Sequence, residues 1–335
     1  MPTTVEMHLV FSFKQKNPIH SKPKPSGFQL LDLLFQLLPI IFHFSMKQLI
    51  SFLLLGFLLA CEDPVQVKLD EGATLLVVDA FINNTATTQR ISLSFSSPFF
   101  SDQKNTPVLN AQVLIRNEKT GAVVPFIMQT QGEYTYTPDA TQPFGDLNAL
   151  YSLEITHNSN LYKAQAVLRR SAGIDSVNFE VIPPSFSQPT LTTKRYACRL
   201  WAKDSTGLLN DYYWIKTRRN DTLFQDVSDI NLSIDGTNGE VPLAFGPPNA
   251  FTPPSVFLAF KTYYPKDRCH VEIHSISKDC YLFLLQARNQ ISNGGLFAQT
   301  PENVRTNIIT PKTTNLKAVG WFNMAAVTTS SIQIP

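Results

Sequence analysis

The chain has 335 residues, with 28 Lys and Arg against 26 Asp and Glu and only 16% charged side chains. No basic patch points to nucleic acid, and no long run of one charge points to a solvated tail. Thr, Ser, Asn, Pro and Phe are abundant, as in exported β proteins rather than cytosolic helical enzymes.

Residues 1–45 hold an apolar patch, Leu30–Phe44, broken by Asp32, Gln36 and Pro39. They read as a mis-called start or a leader extension, with Met46 as the first residue; an extra membrane-associated helix is the alternative. Residues 46–60 have the parts of an export signal: basic Met46-Lys47, the apolar run Leu49–Leu59 and small Ala60. Cys61 directly after Leu58-Leu59-Ala60 marks a lipoprotein signal, in which the peptidase cuts before Cys61 and acyl chains are added there. Each buried CH₂ contributes about 0.8 kcal/mol, so two or three chains hold a protein on a membrane. The apolar run is too short for the ~20 residues of a spanning helix. Without residues 1–60, 23 basic and 24 acidic side chains remain, a net of −1, so the pI of 8.3 comes mostly from the leader.

After a tether (61–73), short β patterns alternate with turns. Thr74–Ile82 is apolar enough for a strand buried on both faces. Gln89–Ser96 places Ile91, Leu93 and Phe95 on one face, and Ala149–Thr156 does the same for Tyr151, Leu153 and Ile155. With Ala111–Asn117, Val123–Met128, Tyr134–Tyr136 and Leu161–Leu168, these predict an immunoglobulin-like β-sandwich over residues 74–170. A boundary falls near Arg169–Gly173. A second β-rich domain, 171–335, carries strands at Ile174–Ile182, Lys194–Ala202, Asp211–Thr217, Val256–Thr262, His270–Ser275, Gly320–Val327 and Ser331–Ile334. Its one predicted helix is Lys278–Asn289, capped by Ser277 or Asp279, with Tyr281, Leu284, Leu285 and Arg288 on one side and Cys280, Phe283 and Ala287 beside them.

Chemical motifs are sparse. There is no G-x-S-x-G, H-E-x-x-H, glycine-rich phosphate loop or C-x-x-C. His270 and Glu272 share a strand face about 7 Å apart and are weak metal candidates; His274, about 13 Å from His270, is too far to join the same ion. A solvated strand face is the preferred reading of this segment. Asp226, Asp229, Asn231 and Asp235-Gly236 suggest a calcium loop with the wrong spacing, so a polar turn is preferred. No cofactor and no metal are expected. Trp201, Tyr212, Tyr213, Trp214, Tyr263, Tyr264 and Trp321 fit a β core better than a sugar-binding surface. Cys198, Cys269 and Cys280 are an odd set: one disulfide, or three buried thiols.

Three stretches resemble a family of Bacteroidetes outer-membrane lipoproteins, domain of unknown function 4249. They are Leu76–Ile82; Asn110–Ile115 with Gly132-Glu-Tyr134 and Tyr151–Ile155; and Asp211–Trp214 with Val271–Ser277, its following helix and Val319–Phe322. The resemblance covers the whole chain beyond Cys61 and carries no catalytic residue. It implies a lipid-anchored outer-membrane protein, often encoded beside SusC-like TonB-dependent receptors and accessory to nutrient uptake. Glu62-Asp63 resembles that phylum's surface-export signal, favouring the cell surface over the periplasmic face. Asp175-Ser-Val177 and Asp221-Thr-Leu223 resemble its O-glycosylation acceptor. A binding protein is therefore expected rather than an enzyme; a lipid-anchored hydrolase acting on glycans or peptides, or an envelope or adhesion protein, are the alternatives.

Overall fold

The computed structural model describes residues 74–97, 104–139, 144–182, 193–203, 211–234, 255–257, 261–293, 302–311 and 317–335. The first eight strands are β1 (Leu76–Asn83), β2 (Gln89–Phe95), β3 (Thr106–Pro107), β4 (Gln112–Asn117), β5 (Val123–Thr130), β6 (Glu133–Tyr136), β7 (Leu150–His157) and β8 (Asn160–Val167). Then come β9 (Gly173–Ile182), β10 (Arg195–Lys203), β11 (Tyr212–Arg219), β12 (Thr222–Leu223), β13 (Asn231–Ile234), β14 (Ser255–Phe257) and β15 (Arg268–Ile276). Helix α1 (Lys278–Ser292) follows, and β16 (Ala318–Ala325) and β17 (Val327–Gln333) end the chain. Strands hold 56% of the described residues and helical turns 9%, which makes the protein mainly β, as its composition and alternation predict.

The first sheet runs β16-β1-β2-β6-β5-β4-β7-β8, with β3 on β2. A bridge between Arg169 and Ala325 brings its two ends together, so it is a nearly closed, barrel-like sandwich. Its interior is apolar: Leu76, Val78, Ala80 and Ile82 from β1 meet Ile91, Leu93, Ile115, Leu153, Ile155 and Phe322. The boundary expected near Arg169–Gly173 falls between β8 and β9. The chain nevertheless returns to this sheet through β16, which pairs in parallel with β1, Val78 opposite Gly320. Gly320 has φ +100°, and a Cβ there would lie 1.9 Å from the Val78 carbonyl oxygen. Only glycine permits that conformation at that approach.

Beyond β8, a three-stranded sheet β14-β10-β9 covers one face of a five-stranded sheet, β12-β11-β15-β17 with β13 on β11. Between them lie Tyr196, Cys198, Leu200, Tyr213, Ile215, Tyr263, Cys269, Val271 and Ile273. The strand expected over Val256–Thr262 is shorter: Lys261 and Thr262 lie outside it, and Tyr263 makes a single bridge to Tyr196. Helix α1 packs on the other face of the five-stranded sheet. Ser277 caps it, its side chain accepting from the Cys280 N–H at 3.1 Å. The helix extends to Ser292, and its fully buried stripe joins Leu284 of one expected side to Cys280, Phe283 and Ala287 of the side next to it, leaving Tyr281 and Leu285 half-buried. The reason is tertiary: Trp321 on β16 stacks on Phe283 (centroids 5.0 Å apart, 24°) and turns that stripe inward. Among the described residues, no helix is long and apolar enough to cross a membrane.

All described residues fall in one compact unit. Buried polar groups join its parts. The Ser275 hydroxyl donates to the Arg169 carbonyl and accepts from the Ala326 N–H, and the Ser171 hydroxyl donates to the Ile273 carbonyl. Leaving such groups unpaired in the interior costs about 1–3 kcal/mol each, so these bonds fix how β15 meets the ends of β8 and β16.

Candidate functional site

Alternation on β11 sends Tyr213, Ile215 and Thr217 into the core between the sheets and Trp214, Lys216 and Arg218 to the opposite face. The β11–β15 register places Trp214 opposite His274, Lys216 opposite Glu272 and Arg218 opposite His270. One end of this face, with Trp214 and Ile276, lies under α1. The other end is polar and faces β1 and β2, enclosing a cleft of about 80 Å³. Asp79, Asn83, Gln89 and Arg90 line it from the barrel; Lys216, Arg218, Glu272 and His274 line it from the sheet.

Glu272 is the centre of this cluster. Its Oε1 accepts from Arg218 Nε at 3.0 Å and lies 3.5 Å from His270 Nε2, while Oε2 lies 2.8 Å from His274 Nε2. An ionised carboxylate can only accept, so His274 carries its proton on Nε2. Burial works to raise the Glu272 pKa. Hydrogen bonds from His270 and His274, with the charge of Arg218, outweigh it and hold the carboxyl well below the usual carboxylate range. Burial, aided by the Lys216 ammonium, lowers the His274 pKa to about 4 despite its bond to Glu272. At neutral pH the cluster thus holds a carboxylate, a guanidinium and a neutral imidazole. Lys216 Nζ sits 4.1 Å from the centre of the Trp214 ring, and Phe81 meets the same indole edge-on at 5.1 Å. Arg90 pairs with Glu133 at 3.1 Å.

Stability should therefore fall on acidification. The unfolded chain protonates His274 near its ordinary 6.5, the folded chain only near 4. Its contribution is complete above pH 6.5 and is lost as pH falls through that window, about 2–3 kcal/mol between pH 7.5 and pH 4.5. Glu272, with a depressed folded pKa, adds a loss in the same direction below the ordinary carboxylate range. Urea titrations at the two pH values check this, and His274→Gln should flatten the upper part of the profile.

His270 and Glu272 share a face as the spacing predicts, but the solvated-face reading needs correction. The Glu272 side chain is 14% exposed and that of His274 7%, because the barrel covers this end of the sheet. His274 also joins through the carboxylate's second oxygen, a reach that Cα spacing alone does not convey. Lys216 and Arg218 are the residues that sequence reading misses; their alternation with Trp214 was the available signal. Among the described residues, no group of three or more His, Cys, Asp or Glu is arranged to hold a metal ion.

The acidic stretch at Asp226 forms a short helical turn, Val227–Asp229, capped by Asp226. Lys261 Nζ bridges Asp226 at 2.7 Å and Asp229 at 2.9 Å, an ammonium standing between the two carboxylates. Asp235-Gly236 lies outside the described residues. Of the aromatic set, Tyr213, Trp214, Tyr263 and Trp321 are buried, as a core reading expects, while Tyr264 is exposed. Thr222 is exposed at the β11–β12 turn, and Ser176 is half-buried on β9. Cys61, its signal and its tether lie outside the described residues.

Comparison with known proteins gives one family. The profile of DUF4249, a domain of unknown function, matches residues 62–331. A search of curated proteins finds no match. Among solved structures, the chain is similar to the chicken CNTN1 FN1–FN3 domains at 11% identity, with 62% of each chain covered and a TM-score of 0.21. The chain thus spans 62% of that structure's length, and a likeness at that score carries no argument.

Proposed function

The chain belongs to the DUF4249 family, and from that premise we propose that it is a lipid-anchored binding protein of the outer membrane. It assists a SusC-like TonB-dependent receptor in nutrient uptake, on the cell surface of a Bacteroidetes cell. The observation that carries this reading is Leu58-Leu59-Ala60-Cys61, followed at once by acidic Glu62-Asp63. Acyl chains on Cys61 are its membrane contact, and no nucleic acid is a partner.

Neither Glu272 nor His274 is set up as the general acid that hydrolysis of a glycan uses. A general acid works best with a pKa near the operating pH. Glu272 is held far below that range and His274 stays neutral, so neither is poised to give up a proton at pH 7. The carboxylate instead spends its oxygens on Arg218 and the two histidines, which is the behaviour of a rigid polar framework.

Affinity purification of the tagged protein from outer membranes, followed by mass spectrometry, tests the accessory role. A SusC-like receptor should be recovered; a preparation with none counts against it. Cys61→Ser should abolish labelling by a fatty-acid probe, and retained labelling would refute the anchor site.

A further inference from the structure

The three cysteines beyond Cys61 are free and buried, and the fold sorts them. Cys198 sits in the middle of β10, paired with Phe179 of β9. Cys269 lies in β15, on the sheet that faces it. Both belong to the apolar core between the two sheets, at 1% and 0% exposure. Tyr263 lies in the same core, its backbone bridged to Tyr196, two residues from Cys198 on the same face of β10. Each thiol bears on the other's ionisation, as two groups sharing one core do: hydrogen bonding with Cys269 pushes the Cys198 thiol up and hydrogen bonding with Cys198 holds the Cys269 thiol down. Cys280 belongs to a different core, with Phe283, Leu284 and Trp321 on the far face of the five-stranded sheet. The sheet itself stands between Cys280 and the other two.

We propose that Cys198 and Cys269 form an inter-sheet disulfide when the chain folds in an oxidising compartment, and that Cys280 stays a thiol. The proposal rests on the export reading only for where the oxidant is met. Two S–H bonds break and one S–S bond forms. Two electrons and two protons pass to a disulfide oxidant, a protein or small-molecule disulfide whose own S–S bond breaks to give two thiols. The exchange takes place before the sandwich closes, since the folded core buries both sulfurs. Linking positions 198 and 269 closes a long loop in the unfolded chain, so the oxidised protein should melt roughly 10 °C above the reduced one.

Trypsin gives each cysteine its own peptide: Tyr196–Arg199, Cys269–Lys278 and Asp279–Arg288. The full chain is unfolded, refolded in a mixture of oxidised and reduced glutathione, alkylated and digested without reduction. The first two peptides should be found linked and the third alkylated. Three alkylated peptides, or a linkage through Cys280, would overturn the proposal. Protein purified from cells that export it should carry the same linkage. If the refolded chain is linked and the cell-derived protein is not, the export reading fails while the pair stands. Cys198→Ser should abolish the reductant-sensitive shift in Tm and Cys280→Ser should keep it; the reverse pattern would also overturn the assignment.

Discussion

Gly320→Ala is expected to cost at least about 4 kcal/mol and to leave little folded protein, the range in which a substitution forces backbone apart. The new Cβ would fall 1.9 Å from the Val78 carbonyl oxygen, with the Val78 carbonyl carbon and nitrogen also within 3 Å. None of these atoms belongs to a flexible side chain that can swing away. Val78 lies in the middle of β1, held by β16 on one side and β2 on the other, so relief means breaking a ladder. Gly121→Ala is the control. It also has positive φ, +75°, but nothing lies within 4 Å of its Cβ position. Its cost should be only the backbone strain of a left-handed alanine, about 1–2 kcal/mol. Urea denaturation of both variants checks the difference. A Gly320→Ala protein as stable as the control would mean that β16 does not lie against β1 as described.

Glu272→Leu should destabilise by about 3–5 kcal/mol, the usual cost of removing one partner from a buried ion pair. The substitution leaves the Arg218 guanidinium, whose side chain is 19% exposed, without its carboxylate and beside Lys216 on the same strand. It also strips the acceptor from His270 and His274. The loss comes less from the missing attraction than from the cations left behind. Glu272→Leu with Arg218→Met should therefore recover much of the stability, because a buried pair replaced by apolar groups of similar volume is often neutral. Thermodynamic cycles on the two single variants and the double variant decide the matter. Additive losses in the double variant would show that Glu272 and Arg218 do not act as a pair.

Local chemistry was legible in the sequence where one strand determines its own pattern. Ile91 with Leu93, and Tyr151 with Leu153 and Ile155, alternate as predicted and are buried, with Phe95 half-buried at the end of its strand. Ser277 caps α1 as its side chain suggests. What was not legible depends on distant segments. No period in Leu76–Asn83 announces that β16, more than 230 positions later, will lie parallel to it. The buried stripe of α1 is set by Trp321, and the helix's own apolar residues leave two neighbouring faces open. The candidate site shows the same division. The shared face of His270 and Glu272 follows from the two-residue strand period. The burial of that face under the barrel does not, nor does the register that brings Arg218 to Glu272. The polar turn preferred for Asp226 and Asp229 gives no hint of the cation that faces them, because Lys261 comes from a segment some 30 residues away.

The anchor at Cys61 carries the functional account, and intact mass analysis of the native protein's amino-terminal peptide, taken from membranes, tests it most directly. The expected species is a chain beginning at Cys61 and bearing the mass of its acyl chains. A chain beginning upstream of that position, or an unmodified Cys61 at the amino end, would contradict it.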